Sequence, residues 1–128
     1  MNVREAREIL YRNSTGSEKS LVYSMYERAK FSKKRFWEFH DCVITLANDA
    51  LENGRDIETA QMITGVYQRI LKEMIWHFDK KDMSVLKKFP KNYNEYIERL
   101  DCAVDAYFRG VFIDKSLFEL QRPEDLNQ

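Results

Sequence analysis

Residues that break helices are scarce in this sequence. Two prolines and four glycines are spread over 128 positions, and the prolines, Pro90 and Pro123, come late. No stretch alternates apolar and polar residues as a half-buried strand does, so no sheet is expected. Cysteine is equally rare. Cys42 and Cys102 are too few for a disulfide framework in a chain this long, and free, partly buried thiols are expected. His40 and His77 are the only histidines. Glu73 and His77 stand four apart on one helix face, but neither His-Glu-x-x-His nor Glu-x-x-His occurs, and glycine-rich phosphate loops are missing. No metal and no cofactor is expected. No apolar run approaches the roughly 18 residues of a membrane span. The opening MNVREAREILYR is charged and lacks the apolar centre of a secretory signal, so a cytoplasmic protein is expected. There is no excess of either charge: 21 basic and 21 acidic side chains cancel. That balance argues against direct nucleic-acid binding by bulk charge.

What the sequence does contain is helical periodicity. From Ile57 to Phe78, residues Ala60, Ile63, Val66, Tyr67, Ile70, Leu71, Met74, His77 and Phe78 fall on one arc, and Asp56 is placed to cap the start. This stretch is expected to be the central helix. Lys33–Asn53, capped by Ser32, carries a second long stripe through Phe36, Phe39, Val43, Leu46, Ala47 and Ala50, widened by Trp37, Ile44 and Leu51. Asn53-Gly54 ends it, and the short link that follows implies an antiparallel hairpin of the two long helices. Residues 2–12 read as a short amphipathic helix and Asn13–Ser17 as a turn. Thr15 with Glu18 has capping-box spacing for a second helix reaching Phe31. Asp82 is expected to start one or two helical turns over Met83–Phe89, stopped by Pro90. Asn92 is expected to cap a last long helix, Tyr93–Arg109, closed by Gly110. Residues 111–120 are ambiguous, with Asp114 or Ser116 able to start a final turn. The expected fold is an all-α, five- to six-helix bundle in one domain, residues 1–121, around a central antiparallel helix hairpin, followed by a polar tail, 122–128.

Charge is patterned along the chain even though it sums to zero. Residues 1–40 carry a net +4, 41–60 a net −4, 61–91 a net +4 and 92–128 a net −4. Either neighbouring helices pair these surfaces, or separate acidic and basic faces meet a partner. Two features point to a partner. On the Ile57–Phe78 helix, Met62, Arg69, Glu73 and Trp76 form a stripe off the main apolar arc; Met, Arg and Trp there have the composition of an interface anchor. The bland alternative is that another helix covers them. On the last helix, Glu98, Asp101 and Asp105 form an acidic row, either simply solvated or suited to a basic protein.

The segment IWHFDKKDMSVLKKFPKNYNEYIERLD, with the helical texture around it over residues 20–110, resembles small helical immunity proteins of bacterial contact-dependent inhibition and other polymorphic-toxin systems. That resemblance implies a cytosolic, cofactor-free, non-enzymatic binder that neutralises a cognate toxin domain, often a nuclease. Its acidic face would meet a basic nuclease cleft; the zero net charge departs from the acidic balance of many such proteins. A second pattern, Arg35-Phe-Trp-Glu-Phe-His40, resembles the Arg-x(4–6)-His signature of the HEPN superfamily. It implies the alternative of a metal-independent ribonuclease, with Arg35 holding a phosphate and His40 moving a proton. Phe36 departs from that pattern, where the residue after arginine is usually polar. Lys33, Lys34 and Arg35 at a helix N-terminus oppose the helix dipole and favour an anion nearby.

Overall fold

Five α-helices form where apolar residues recur every three or four positions. They are α1 (Val3–Thr15), α2 (Leu21–Tyr26), α3 (Lys33–Asn53), α4 (Ile57–Phe78) and α5 (Tyr93–Arg109), with a single 3-10 turn at Lys115–Leu117. The computed structural model describes residues 1–125, so the last three positions of the expected polar tail lie outside the described residues. Among the described residues there is no strand, only one isolated bridge between Lys30 and Lys87. The chain is an all-α bundle, and among the described residues no helix is long and apolar enough to cross a membrane.

Close backbone approaches join α1 to α3, α3 to α5, α5 to α4 and α4 to α1. That order closes a ring of four helices in which α3 and α4 occupy opposite corners. Their relative direction follows from α5. Phe36 at the start of α3 meets Tyr96 near the start of α5, with ring centroids 4.8 Å apart. Arg55, in the α3–α4 link, donates to the carbonyl of Phe108 at the far end of α5 at 2.7 Å. Phe78 at the end of α4 lies 5.0 Å from Tyr93 at the start of α5. So α5 runs with α3 and against α4, and the two long helices are antiparallel as expected. They face each other across the core rather than side by side, because α1 and α5 fill the places between them. The central helix is α3 rather than α4: α3 buries eight residues, among them Phe36, Trp37 and Phe39, against six for α4.

Helix boundaries follow from caps. Ser32 accepts from the Arg35 N–H, and Asp56 accepts from the N–H and the hydroxyl of Thr59. Gly110 closes α5 in the left-handed conformation, as the sequence predicts. Asn92 precedes α5, but its amide donates to Glu95 instead of capping.

Three further expectations, all on short elements, are corrected. First, α1 runs on to Thr15, and Ser20 rather than Thr15 caps α2, accepting from the Tyr23 N–H. Buried Asn13 explains the change, since its side-chain oxygen accepts from the Leu21 and Val22 N–H groups and its amide donates to Ile9. Second, α2 stops at Tyr26 rather than Phe31. Ser24 holds Lys30 through both its carbonyl and its hydroxyl, and Ala29 turns to positive φ. Phe31 then enters an aromatic cluster with Phe36, Phe89 and Tyr96. Third, Met83–Phe89 is not helical. Its backbone is taken by the earlier chain: Phe31 donates to Lys87 and Lys87 to Ala29. The Asp82 carboxylate caps only a tight turn, accepting from the Ser84 N–H at 3.0 Å. In the ambiguous 111–120 stretch it is Asp114 that starts the 3-10 turn, accepting from the Ser116 N–H.

Candidate docking site

The sequence-marked stripe on α4 lies beside an opening in the surface. A groove of about 910 Å³ runs between the C-terminal end of α1, α2 and α4. Met62 and Arg69 line it, together with Tyr11 and Tyr26, which stand at 62% and 64% exposure. Two tyrosines this open on a groove rim are costly to leave wet and offer apolar area with a polar tip. The middle of the groove is kept clear by Gly65. It has ordinary helical φ, and a Cβ placed there would touch nothing within 4 Å.

Arg69 is held in position from three sides. Its Nε donates to Oε1 of Glu73 at 3.0 Å, and its Nη2 lies 2.9 Å from the same oxygen. Its guanidinium lies 4.7 Å from the Tyr26 ring centre and 5.8 Å from that of Trp76. Glu73 is buried, so Arg69 compensates a carboxylate that would otherwise be desolvated alone. Trp76 is half-buried and supports Arg69 without lining the groove. The stripe is therefore a braced surface with Met62 and Arg69 on the groove and Trp76 and Glu73 behind.

The acidic row of α5 lies elsewhere. Tyr67 of α4 donates to Asp101 at 2.9 Å. Tyr67 and Arg69 are two residues apart on one helix, so they point to nearly opposite sides. The row of Glu98, Asp101 and Asp105 and the stripe of Met62, Arg69 and Trp76 therefore lie on different sides of α4. The row is not uncompensated: Asp101 takes the Tyr67 hydrogen bond, and Asp105 approaches Arg109 at 3.7 Å. Burial, then the bond to Asp101, raises the Tyr67 hydroxyl to about 12. Glu98 is exposed.

Arg35 and His40 are also taken up separately. Arg35 pairs with Glu38 at 2.9 Å, and Arg12 of α1 reaches the same carboxylate at 3.7 Å. His40 is buried against Phe36 and Trp37, and its Nδ1 donates to Asp41 at 3.0 Å. Burial holds the His40 ring below its ordinary value despite the Asp41 bond. For Asp41, burial pushes upward, but the bonds from His40 and Arg122 outweigh it and lower its value. One residue of the pair thus faces α1, while the other lies under the C-terminal segment.

The other chemistry-bearing residues are in structural use. His77 Nδ1 accepts from the Leu86 N–H at 2.8 Å, and its ring stacks on Phe89 at 4.2 Å, tying the 79–92 segment to α4. Glu73 and His77 are therefore committed to different partners. Among the described residues no group of three His, Cys, Asp or Glu side chains gathers as a metal site would. Both cysteines are free, and burial pushes the Cys42 thiol up, away from a reactive thiolate. Sequence reasoning missed Tyr11 and Tyr26. Tyr26 follows directly on the apolar residues of α2 in the sequence; a helix ending at Tyr26 leaves it exposed at the rim. Comparison with known proteins finds no matching family model, no similar curated protein and no similar solved structure.

Proposed function

We propose that this chain is a non-enzymatic binding protein that captures a protein partner in the groove between α1, α2 and α4. The observation that carries this reading is the groove itself: an opening lined by Tyr11, Tyr26, Met62 and Arg69, with free space at Gly65. Tyr, Met and Arg are the side chains that concentrate binding energy at protein interfaces. Arg69 is braced by Glu73, Tyr26 and Trp76, so little conformational freedom is lost on docking. The resemblance to helical immunity proteins supplies the partner class: a toxin domain, such as a nuclease, that the chain blocks by occupying its surface. The acidic row at Glu98, Asp101 and Asp105 serves on this reading to steer a basic domain at a distance rather than to pack against it.

The ribonuclease alternative gains less support. Arg35 is engaged by Glu38, and His40 is buried with Asp41, so neither presents a free group to a scissile phosphate.

Two assays separate these readings. Cells expressing a toxin domain encoded beside this gene should survive when this chain is co-expressed. Purified protein incubated with total RNA and a chelator should leave the RNA intact. RNA cleavage lost in both Arg35→Ala and His40→Ala would reverse the choice.

A further inference from the structure

Where α5 meets α3, away from the groove, Arg99 is buried with two of its donors unpartnered. Arg99 is 4% exposed, and its Nε and Nη1 have no partner among the described residues. Its guanidinium lies between two rings, 5.2 Å from the centre of Trp37 and 4.5 Å from that of Phe118. Rings cover the faces of a guanidinium, whereas its five N–H donors lie in the plane and point outward. Trp37 has no solvent exposure, and its Nε1 is also without a partner. The nearby carboxylate, Asp41, is already engaged by His40 at 3.0 Å and by Arg122 at 2.8 Å. Lys115 adds further positive charge around His40. A buried cation left this way is unfavourable unless an anion completes it at some stage.

We propose that Arg99 and the indole N–H of Trp37 form a binding site for a small oxyanion, phosphate or carboxylate, closed in this structure by Phe118. Arginine's in-plane N–H donors match the oxygens of such a group, and Trp37 holds one face of the guanidinium before any ligand arrives. The cover is lightly built. Val111, Phe112, Ile113 and Leu117 are exposed, and regular structure is limited to the Lys115–Leu117 turn. Displacing Phe118 uncovers one face of the guanidinium and admits an anion to its N–H donors, with α3 and α5 left in place. The site is independent of the groove and of the partner proposed for it.

Trp37 reports on the site directly. In a Trp76→Phe background, its emission should change saturably with sodium phosphate or sodium acetate, and not with sodium chloride at matched ionic strength. A response to phosphate alone assigns a tetrahedral oxyanion, and one to acetate alone a carboxylate. Phe118→Ala, which removes the cover, should tighten apparent affinity about tenfold, since closure no longer competes with binding. Arg99→Met should abolish the response. Arg99→Lys, which keeps the charge and loses the fork, should weaken it about tenfold or more. No saturable change in both the parent and Phe118→Ala would overturn the proposal. So would an unchanged response in Arg99→Met or unchanged affinity in Arg99→Lys.

Discussion

Ile70 has no solvent exposure and sits mid-helix on the core face of α4. Truncating it removes buried methylene groups and leaves a cavity, so Ile70→Ala should cost about 2–5 kcal/mol, read as a lowered urea midpoint. His40 makes a different prediction. Its folded-state value lies below the ordinary 6.5, chiefly through burial and with Arg99 and Lys115 adding to the effect. The unfolded chain therefore takes up the proton first as pH falls. Stability from the neutral ring is present above about pH 6.5 and is lost as pH falls from there through the lower folded-state value. Asp41 also has a lowered value, so its contribution fades at more acid pH, below the ordinary 3.8. His40→Asn should flatten the pH dependence of the melting temperature as pH falls below about 6.5, and should also reduce the slope below pH 4, because the His40 bond is one of the two that lower Asp41. An equal slope in wild type and variant across that upper window would contradict the burial argument. At this scale the sequence marks residue types better than their roles. Arg69, Trp76 and Met62 stand out by composition, but that Arg69 compensates buried Glu73 depends on a tertiary burial pattern. Asp101 reads as a free acid because its partner, Tyr67, is 34 residues away.

The long helices were legible because their stripes, caps and stops agree. Lys33–Asn53, Ile57–Phe78 and Tyr93–Arg109 fall where periodicity, Ser32, Asp56 and Gly110 place them. Asp56 accepts two hydrogen bonds from Thr59, so Asp56→Ala should lower stability by about 1 kcal/mol, measurable by thermal or urea unfolding. Short elements were less legible because distant chain decides them. Thr15 and Glu18 satisfy a capping pattern, yet buried Asn13 reaches across to the N–H groups of Leu21 and Val22 and moves the start of α2. Met83–Phe89 has helical composition, yet Ala29 and Phe31 claim the backbone of Lys87. The same pairing shortens α2 and opens the rim at Tyr26, so the candidate site was hidden by the same contacts that hid the short elements.

Across the whole molecule, the ring of α1, α3, α5 and α4 leaves two dissimilar surfaces. One is the groove by α2, with tyrosines, Met62 and a braced arginine. The other is the α4–α5 side, with the acidic row. If the row steers and the groove holds, reversing Asp101 and Asp105 to Lys should slow association with a basic toxin domain and flatten its salt dependence, with dissociation little changed. Gly65 allows a sharper test of the groove, because blocking it need not harm the fold. A Cβ there meets nothing within 4 Å, and replacing a helix-interior glycine favours the helix by about 0.5–1 kcal/mol. The decisive measurement is the affinity of Gly65→Leu for the toxin domain against which the wild-type chain protects, taken alongside its melting temperature. The groove account predicts an equal or higher melting temperature with binding weakened about 100-fold or more, the loss expected when an interface centre is obstructed. A folded Gly65→Leu protein that binds as tightly as wild type would contradict it.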